Sequence, residues 1–246
     1  MQDVVCIHAS ASNGRQWRAL AHRLAGRYRV HTPDLYSSGD SPQWSDGRPL
    51  SVADELALLE PVFAQGGARF DLVGHSYGGV VALHAALADP DRVRSLVIFE
   101  PVLFGLLGPH SDPEILAVRD ETSAAVERGA LDVAAQRFLD YWMGPGTWDG
   151  LPEARQQSAA RAMPGVRSQF GAIFAEPAPP AVYASLTTPT LLLTATGSPA
   201  AARGVARHLA VLLPNVKTVE LDGVGHMAPV THPDLVNDAI DAYLTG

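Results

Sequence analysis

Gly74-His75-Ser76-Tyr77-Gly78 sets a serine hydroxyl between two glycines, after the apolar run that begins at Phe70 and before the alanine-rich run Val80 to Leu87. Strand, abrupt turn and helix in that order form the nucleophile-elbow pattern G-x-S-x-G. A serine held at a strained turn brings strand and helix backbones together two residues either side, where a side chain does not fit. The turn lifts the hydroxyl clear of the sheet. It also leaves the backbone N–H of Tyr77, at the head of the helix, facing whatever Ser76 attacks.

An activated serine needs a base. Of the nine histidines, His226 is the best placed, because it follows the last apolar run, Val216 to Leu221. In a parallel sheet it emerges at the same carboxyl edge as Ser76. Gly223 and Gly225 let its loop bend inward. His84 lies within a helix and His31 within a strand, while His22, His110 and His208 read as surface positions. His75 and His232 are neighbours of the elbow and of the last helix start. None has a metal-ligand spacing such as H-E-x-x-H, so neither a metal nor a cofactor is expected.

The elements that must position these residues alternate. Val4 to Ile7 and Tyr28 to Thr32 read as strands, with a helix from Arg15 to Ala25 between them. Continuous apolar runs of this kind suit strands buried on both faces of a parallel sheet. Ser51 can cap a helix through Ala64 that Gly66-Gly67 ends. The elbow unit follows, then a strand from Val93 to Phe99 that ends in Glu100-Pro101. Between 102 and 188 no strand-like run stands out, and Pro113 to Arg128, Leu131 to Met143 and Pro152 to Met163 read as helices. A strand at Thr190 to Ala195 restores the alternation, Ser198-Pro199 starts a helix to Leu213, and Pro233 opens a closing helix. The expected class is α/β, a mainly parallel, doubly wound sheet from residues 1–101 and 189–246, with 102–188 a helical insertion.

The chain has 246 residues, enough for one α/β domain with a large core. Its 26 acidic and 18 basic residues give a net charge of −8, which argues against nucleic acid or an anionic membrane as partner. The one cysteine, Cys6, allows no internal disulfide and reads as a buried small hydrophobe. With no signal peptide and no long apolar stretch, a cytoplasmic protein is expected.

Taken together, the chain resembles an α/β-hydrolase of the capped, single-domain kind. Ile7-His8-Ala9-Ser10 stands for the family's His-Gly-x oxyanion loop, Pro33-Asp34-Leu35 with Gly39 and Ser41 for the loop after the next strand, and Gly225-His226 for the histidine loop. The order of nucleophile before histidine also fits. The resemblance implies a lid at 102–188 and an oxyanion hole made by the N–H groups of Tyr77 and Ser10. Ala9 replaces the usual glycine, so Ala9 or Ala11 could serve instead of Ser10. It further implies hydrolysis of a small carboxylic ester through an acyl-enzyme on Ser76. Cleavage of a carbon–carbon bond in a diketone-type substrate is the same-fold alternative, and a slow or non-catalytic ligand-binding protein is a third reading. Aromatic residues in the insertion suggest an apolar or aromatic acyl or alcohol group.

Two departures from the family pattern matter. The two antiparallel strands that usually come first are missing, so either the sheet has a different edge or the chain is a shortened version of a longer protein. An uncovered edge strand makes a homodimer a fair expectation. Secondly, the loop after Thr190 to Ala195 reads Thr196-Gly197-Ser198-Pro199, without the usual aspartate. Glu100, just past the strand that follows the elbow helix, is then the expected acid of a Ser76–His226–Glu100 triad. Asp222 is second choice but is close enough to His226 to shape its turn, and Asp34 reads as a loop cap.

Overall fold

The structure is a computed structural model that describes residues 1–45, 47–110, 112–175 and 177–246. Six strands are found among the described residues: β1 (Gln2–Ile7), β2 (Tyr28–His31), β3 (Phe70–His75), β4 (Val93–Phe99), β5 (Thr190–Ala195) and β6 (Val216–Leu221). They form one all-parallel sheet in the order β2-β1-β3-β4-β5-β6, as the alternating pattern predicts. No strand precedes β1 in the described residues, so β2 forms one edge.

Alternation along β1 shows how the sheet is covered. Val4 and Cys6 face a core completed by Trp17, Leu20 and Leu24 of the first helical unit and by Val236 and Ile240 of the last helix. Val5 and Ile7 face the opposite core, with Leu59, Val80, Leu83 and Val205. Side chains of a strand point alternately to its two faces, so one apolar run serves two layers. The covering helices are α1 (Arg18–Leu24) and α10 (Pro233–Thr245) on one side, and α2 (Val52–Gln65), α3 (Tyr77–Ala88) and α8 (Ala200–Leu212) on the other. Ser51 caps α2, accepting from the Asp54 amide while the Asp54 carboxylate accepts from the Ser51 amide.

Between β4 and β5 the described chain is helical: α4 (Pro113–Glu127), α5 (Leu131–Met143), α6 (Glu153–Ile173) and α7 (Pro180–Ala184). α6 corrects the expected stop at Met163, continuing ten residues past it to Ile173. Pro164 removes one amide donor from the helix. Burial of Met163 and Val166 on either side outweighs that loss. Gly165 also lets the helix press on the 35–49 loop, since a Cβ there would lie 2.8 Å from Ser37 Cβ. α8 likewise begins at Ala200 with Pro199 in the cap position, so Ser198 is not its cap. The Gly197 amide instead bonds the Val224 carbonyl at 2.9 Å, which turns this stretch toward the histidine loop. A four-residue helix, α9 (Ala228–Thr231), follows His226. Among the described residues no helix is long and apolar enough to cross a membrane.

Candidate active site

Ser76 sits between β3 and α3 with φ 56° and ψ −118°, a conformation that costs an L-residue on the order of 1–3 kcal/mol. The flanking glycines make the turn feasible. A Cβ on Gly74 would meet the Gly78 carbonyl at 2.4 Å, and one on Gly78 would meet the Ile7 carbonyl at 2.3 Å. β1, β3 and α3 therefore touch backbone to backbone at this point. The Ser76 amide continues the sheet by donating to the Phe99 carbonyl at 2.9 Å, so the strained residue is pinned to β4.

His226 arrives from the loop after β6. The Ser76 hydroxyl lies 3.0 Å from its Nε2, and its Nδ1 lies 2.7 Å from Glu100 Oε2. A carboxylate can only accept here, so Nδ1 carries the proton and Nε2 offers its lone pair to the serine. Glu100 is fully buried, and its other oxygen accepts from the Thr194 hydroxyl and the Ala195 amide, each at 2.9 Å. Burial by itself would raise the Glu100 pKa. The hydrogen bond and charge of His226, the nearby Ser198 hydroxyl and the Ala195 amide outweigh it, and the net shift is downward. Glu100 is thus ionised at neutral pH. It leaves β4 with φ 42° and braces on β5, the strand whose following loop has no carboxylate.

The other acids lie elsewhere. Asp222 accepts from the Thr196 hydroxyl at 3.0 Å on the exposed side of its turn. Asp34 accepts from the Gly14 and Asp40 amides at 2.7 and 2.9 Å. His22, His208 and His232 are exposed. The side chain of His110 lies outside the described residues. No group of three or more metal-binding side chains occurs among the described residues.

Ser10 stands beside Ser76 in the loop after β1, its hydroxyl donating to Gln169 Oε1 of α6 at 2.6 Å. The Ala9 amide is taken by Gln16 Oε1 at 3.2 Å. The N–H of Tyr77 heads α3, where first-turn amides have no carbonyl four residues back. Above Ser76 the helical segment closes a cavity of about 20 Å³, lined by Val102, Phe104, Val118, Phe138 and Phe174 with Arg119 on the wall. The Trp142 ring stacks on His226, centroids 4.1 Å apart, and its indole N–H is buried without a partner among the described residues.

Two contributors are not visible in sequence patterns: Gln16 and Gln169 come from helical turns whose faces read only as packing, whereas Trp142 is one of the insertion's aromatic residues. The tight loop that follows β1 could have drawn attention to Gln16, because its first amides need acceptors.

The alpha/beta hydrolase family matches residues 4–239. A pimeloyl-(acyl-carrier protein) methyl ester esterase of Chromobacterium violaceum is 29% identical over 245 residues, covering 94% of this chain and 89% of that protein. A shorter stretch is 40% identical to lipase LipV of Mycobacterium tuberculosis over 101 residues, 41% of this chain and 37% of that lipase. That alignment thus spans little more than a third of the relative's length. A solved hydrolase structure from Pseudomonas aeruginosa superposes with a TM-score of 0.82 at 23% identity, covering all of this chain and 90% of that one. With a family match running from β1 into α10, the chain belongs to the alpha/beta hydrolase family.

Proposed function

We propose that the protein is a serine esterase that cleaves small carboxylic esters through an acyl-enzyme on Ser76. The observation that carries this reading is the unbroken chain of contacts from Ser76 Oγ through His226 to Glu100, with Glu100 held ionised. His226 Nε2 takes the Ser76 proton as Oγ attacks the ester carbonyl carbon, and the imidazolium is stabilised by Glu100. The oxyanion rests on the N–H groups of Tyr77 and Ser10. Ala9 is removed as an alternative donor because Gln16 occupies its amide. Preformed backbone donors of this kind lower the barrier by ~2.7–4 kcal/mol each. The carbon–oxygen bond to the alcohol then breaks and the alcohol leaves with the proton from His226. Water, deprotonated by His226, attacks the acyl carbon and releases the acid and free Ser76.

Residues 102–188 act as a cap in this reading. A cavity of about 20 Å³ has room for a single water, so substrate enters only when cap side chains move. The apolar lining favours an alkyl or aryl acyl group. The names of the Chromobacterium and Mycobacterium relatives, an ester hydrolase and a lipase, agree with acyl-ester chemistry.

The test is intact mass after exposure to a fluorophosphonate, with Ser76→Ala as control, followed by turnover of p-nitrophenyl esters of increasing acyl length. One adduct on the wild type, none on the control, and hydrolysis far above background are expected. Folded wild-type protein that takes no adduct and turns over no ester would sink the proposal in favour of a ligand-binding protein.

A further inference from the structure

The loop that delivers His226 contains Gly223 and Gly225, and glycine is the residue type least able to hold a loop still. Yet the imidazole must stay within a few tenths of an ångström of both Ser76 and Glu100. Something besides the side-chain contacts has to fix its backbone. His75, the residue between Gly74 and Ser76, does so: its Nε2 lies 2.9 Å from the His226 carbonyl oxygen. A carbonyl only accepts, so His75 Nε2 carries the proton. His75 Nδ1 lies 3.1 Å from Gln16 Nε2.

The direction of each bond follows from the ends of the chain. The Ala9 amide can only donate, so it fixes Oε1 of Gln16 as the acceptor. Gln16 must then present its NH₂ to His75, whose Nδ1 must accept. The Nε2–H tautomer of His75 is thereby dictated from both sides, and the His226 carbonyl is its one sensible target. A proton on Nδ1 would face the Gln16 NH₂ and find no acceptor. His75 is fully buried and its pKa lies well below the ordinary imidazole value, from burial first and the nearby His226 second, the His226 carbonyl bond only partly offsetting them. Two other imidazoles, His226 and His8, are the titratable groups that face it. With its ring centroid 5.1 Å from that of His226, a neutral His75 adds no charge against the imidazolium that forms during reaction.

We infer that His75 is a positioning residue for His226. Gln16 selects its tautomer, so that one relay, Ala9 to Gln16 to His75 to His226, ties the loop bearing Ser10 to the loop bearing the base. Neither Gln16 nor His75 lines the cavity above Ser76.

The inference rests on Ser76 and His226 working as a pair, so one readout is chosen that needs no turnover. This is the downfield proton resonance of the His226 N–H shared with Glu100, recorded beside kcat, KM and thermal midpoint with a p-nitrophenyl ester. His75→Leu is expected to lower kcat by roughly tenfold to a hundredfold with KM changed less than about twofold, on the scale of a small misplacement of catalytic groups. The resonance should broaden or vanish through exchange. His75→Gln keeps one acceptor and one donor and should recover most of the loss. Gln16→Leu should give a smaller drop, and the double variant should be no worse than His75→Leu, since both break one relay. Wild-type kcat per folded molecule and an unchanged resonance in His75→Leu would overturn the inference. So would strictly additive effects in the double variant. If the wild type takes no fluorophosphonate adduct and turns over no ester, the esterase reading fails, and the resonance alone then decides the positioning role.

Discussion

The carboxyl edge of the sheet and the helical segment above it are built on different principles. At the edge the groups around Ser76 have fixed partners: Glu100 is held by three donors, His75 by Gln16 and the His226 carbonyl, and the Ser76 amide by the Phe99 carbonyl. In the helical segment the indole of Trp142 and the hydroxyl of Tyr141 are buried with no partner among the described residues. Each such group costs roughly 1–3 kcal/mol. On the cap reading proposed above, the edge is the pre-organised side and the segment the side expected to yield when something enters.

Variants can break or sharpen this contrast. The largest effect belongs to Glu100→Gln, which places an amide where His226 Nδ1 needs an acceptor. The expected loss in kcat is on the order of a thousandfold or more, with the melting curve of a folded protein. Near-wild-type turnover would remove Glu100 from the mechanism and with it the idea that the edge is fixed by partners.

The next effect is on stability. Glu55 of α2 is fully buried, accepting from the Tyr36 amide and the Tyr77 hydroxyl, and burial pushes its pKa up to about 7. A carboxyl that ionises less readily folded than unfolded favours the native state below its unfolded pKa. That stability is lost as pH rises through about 7. The loss between pH 4 and pH 8 should be on the order of 3 kcal/mol from this group. The thermal midpoint should therefore fall over that range in the wild type and fall less in Glu55→Gln. Parallel curves for the two proteins would assign the pH dependence to other groups.

Trp142→Ala probes the helical segment. Removing the ring from His226 should speed labelling of Ser76 by a bulky fluorophosphonate severalfold, even as stability drops by about 3 kcal/mol. Slower labelling, as in Glu100→Gln, would mean that the indole belongs to the machinery. Gln169→Leu should matter least. It cuts the tie from α6 to the Ser10 hydroxyl and leaves the Ser10 amide in place, so kcat should change less than about threefold, read with the same ester.

The contrast also explains which features were legible in the sequence. Ser76 and His226 announce themselves because their surroundings demand glycines at set spacings, a constraint that is local in the chain. Glu100 was reached because the loop after β5 holds no carboxylate while the end of β4 does. Gln16, His75 and Gln169 carry no such signature. Their contacts join residues 7, 59, 151 and 159 positions apart, and only the packed sheet and helices bring them together. The run of α6 through Pro164 was unreadable for the same reason, since burial of Met163 and Val166 by other elements decides it.

Cys6 lies within β1, wholly buried against the core shared with the first and last helical units. Burial first, then the charge of Asp71, pushes its thiol far above the usual range, so almost none of it is thiolate in the folded chain. A thiol in that condition is inert to alkylating reagents until its strand is exposed. The chain therefore carries its own clock for unfolding. The rate at which iodoacetamide adds one label, followed by mass, reads how often the sheet opens down to the strand that also carries Ser10's loop. No reporter needs to be engineered, and if the proposed ester turnover is fast, slow labelling would separate motion of the 102–188 segment from motion of the sheet.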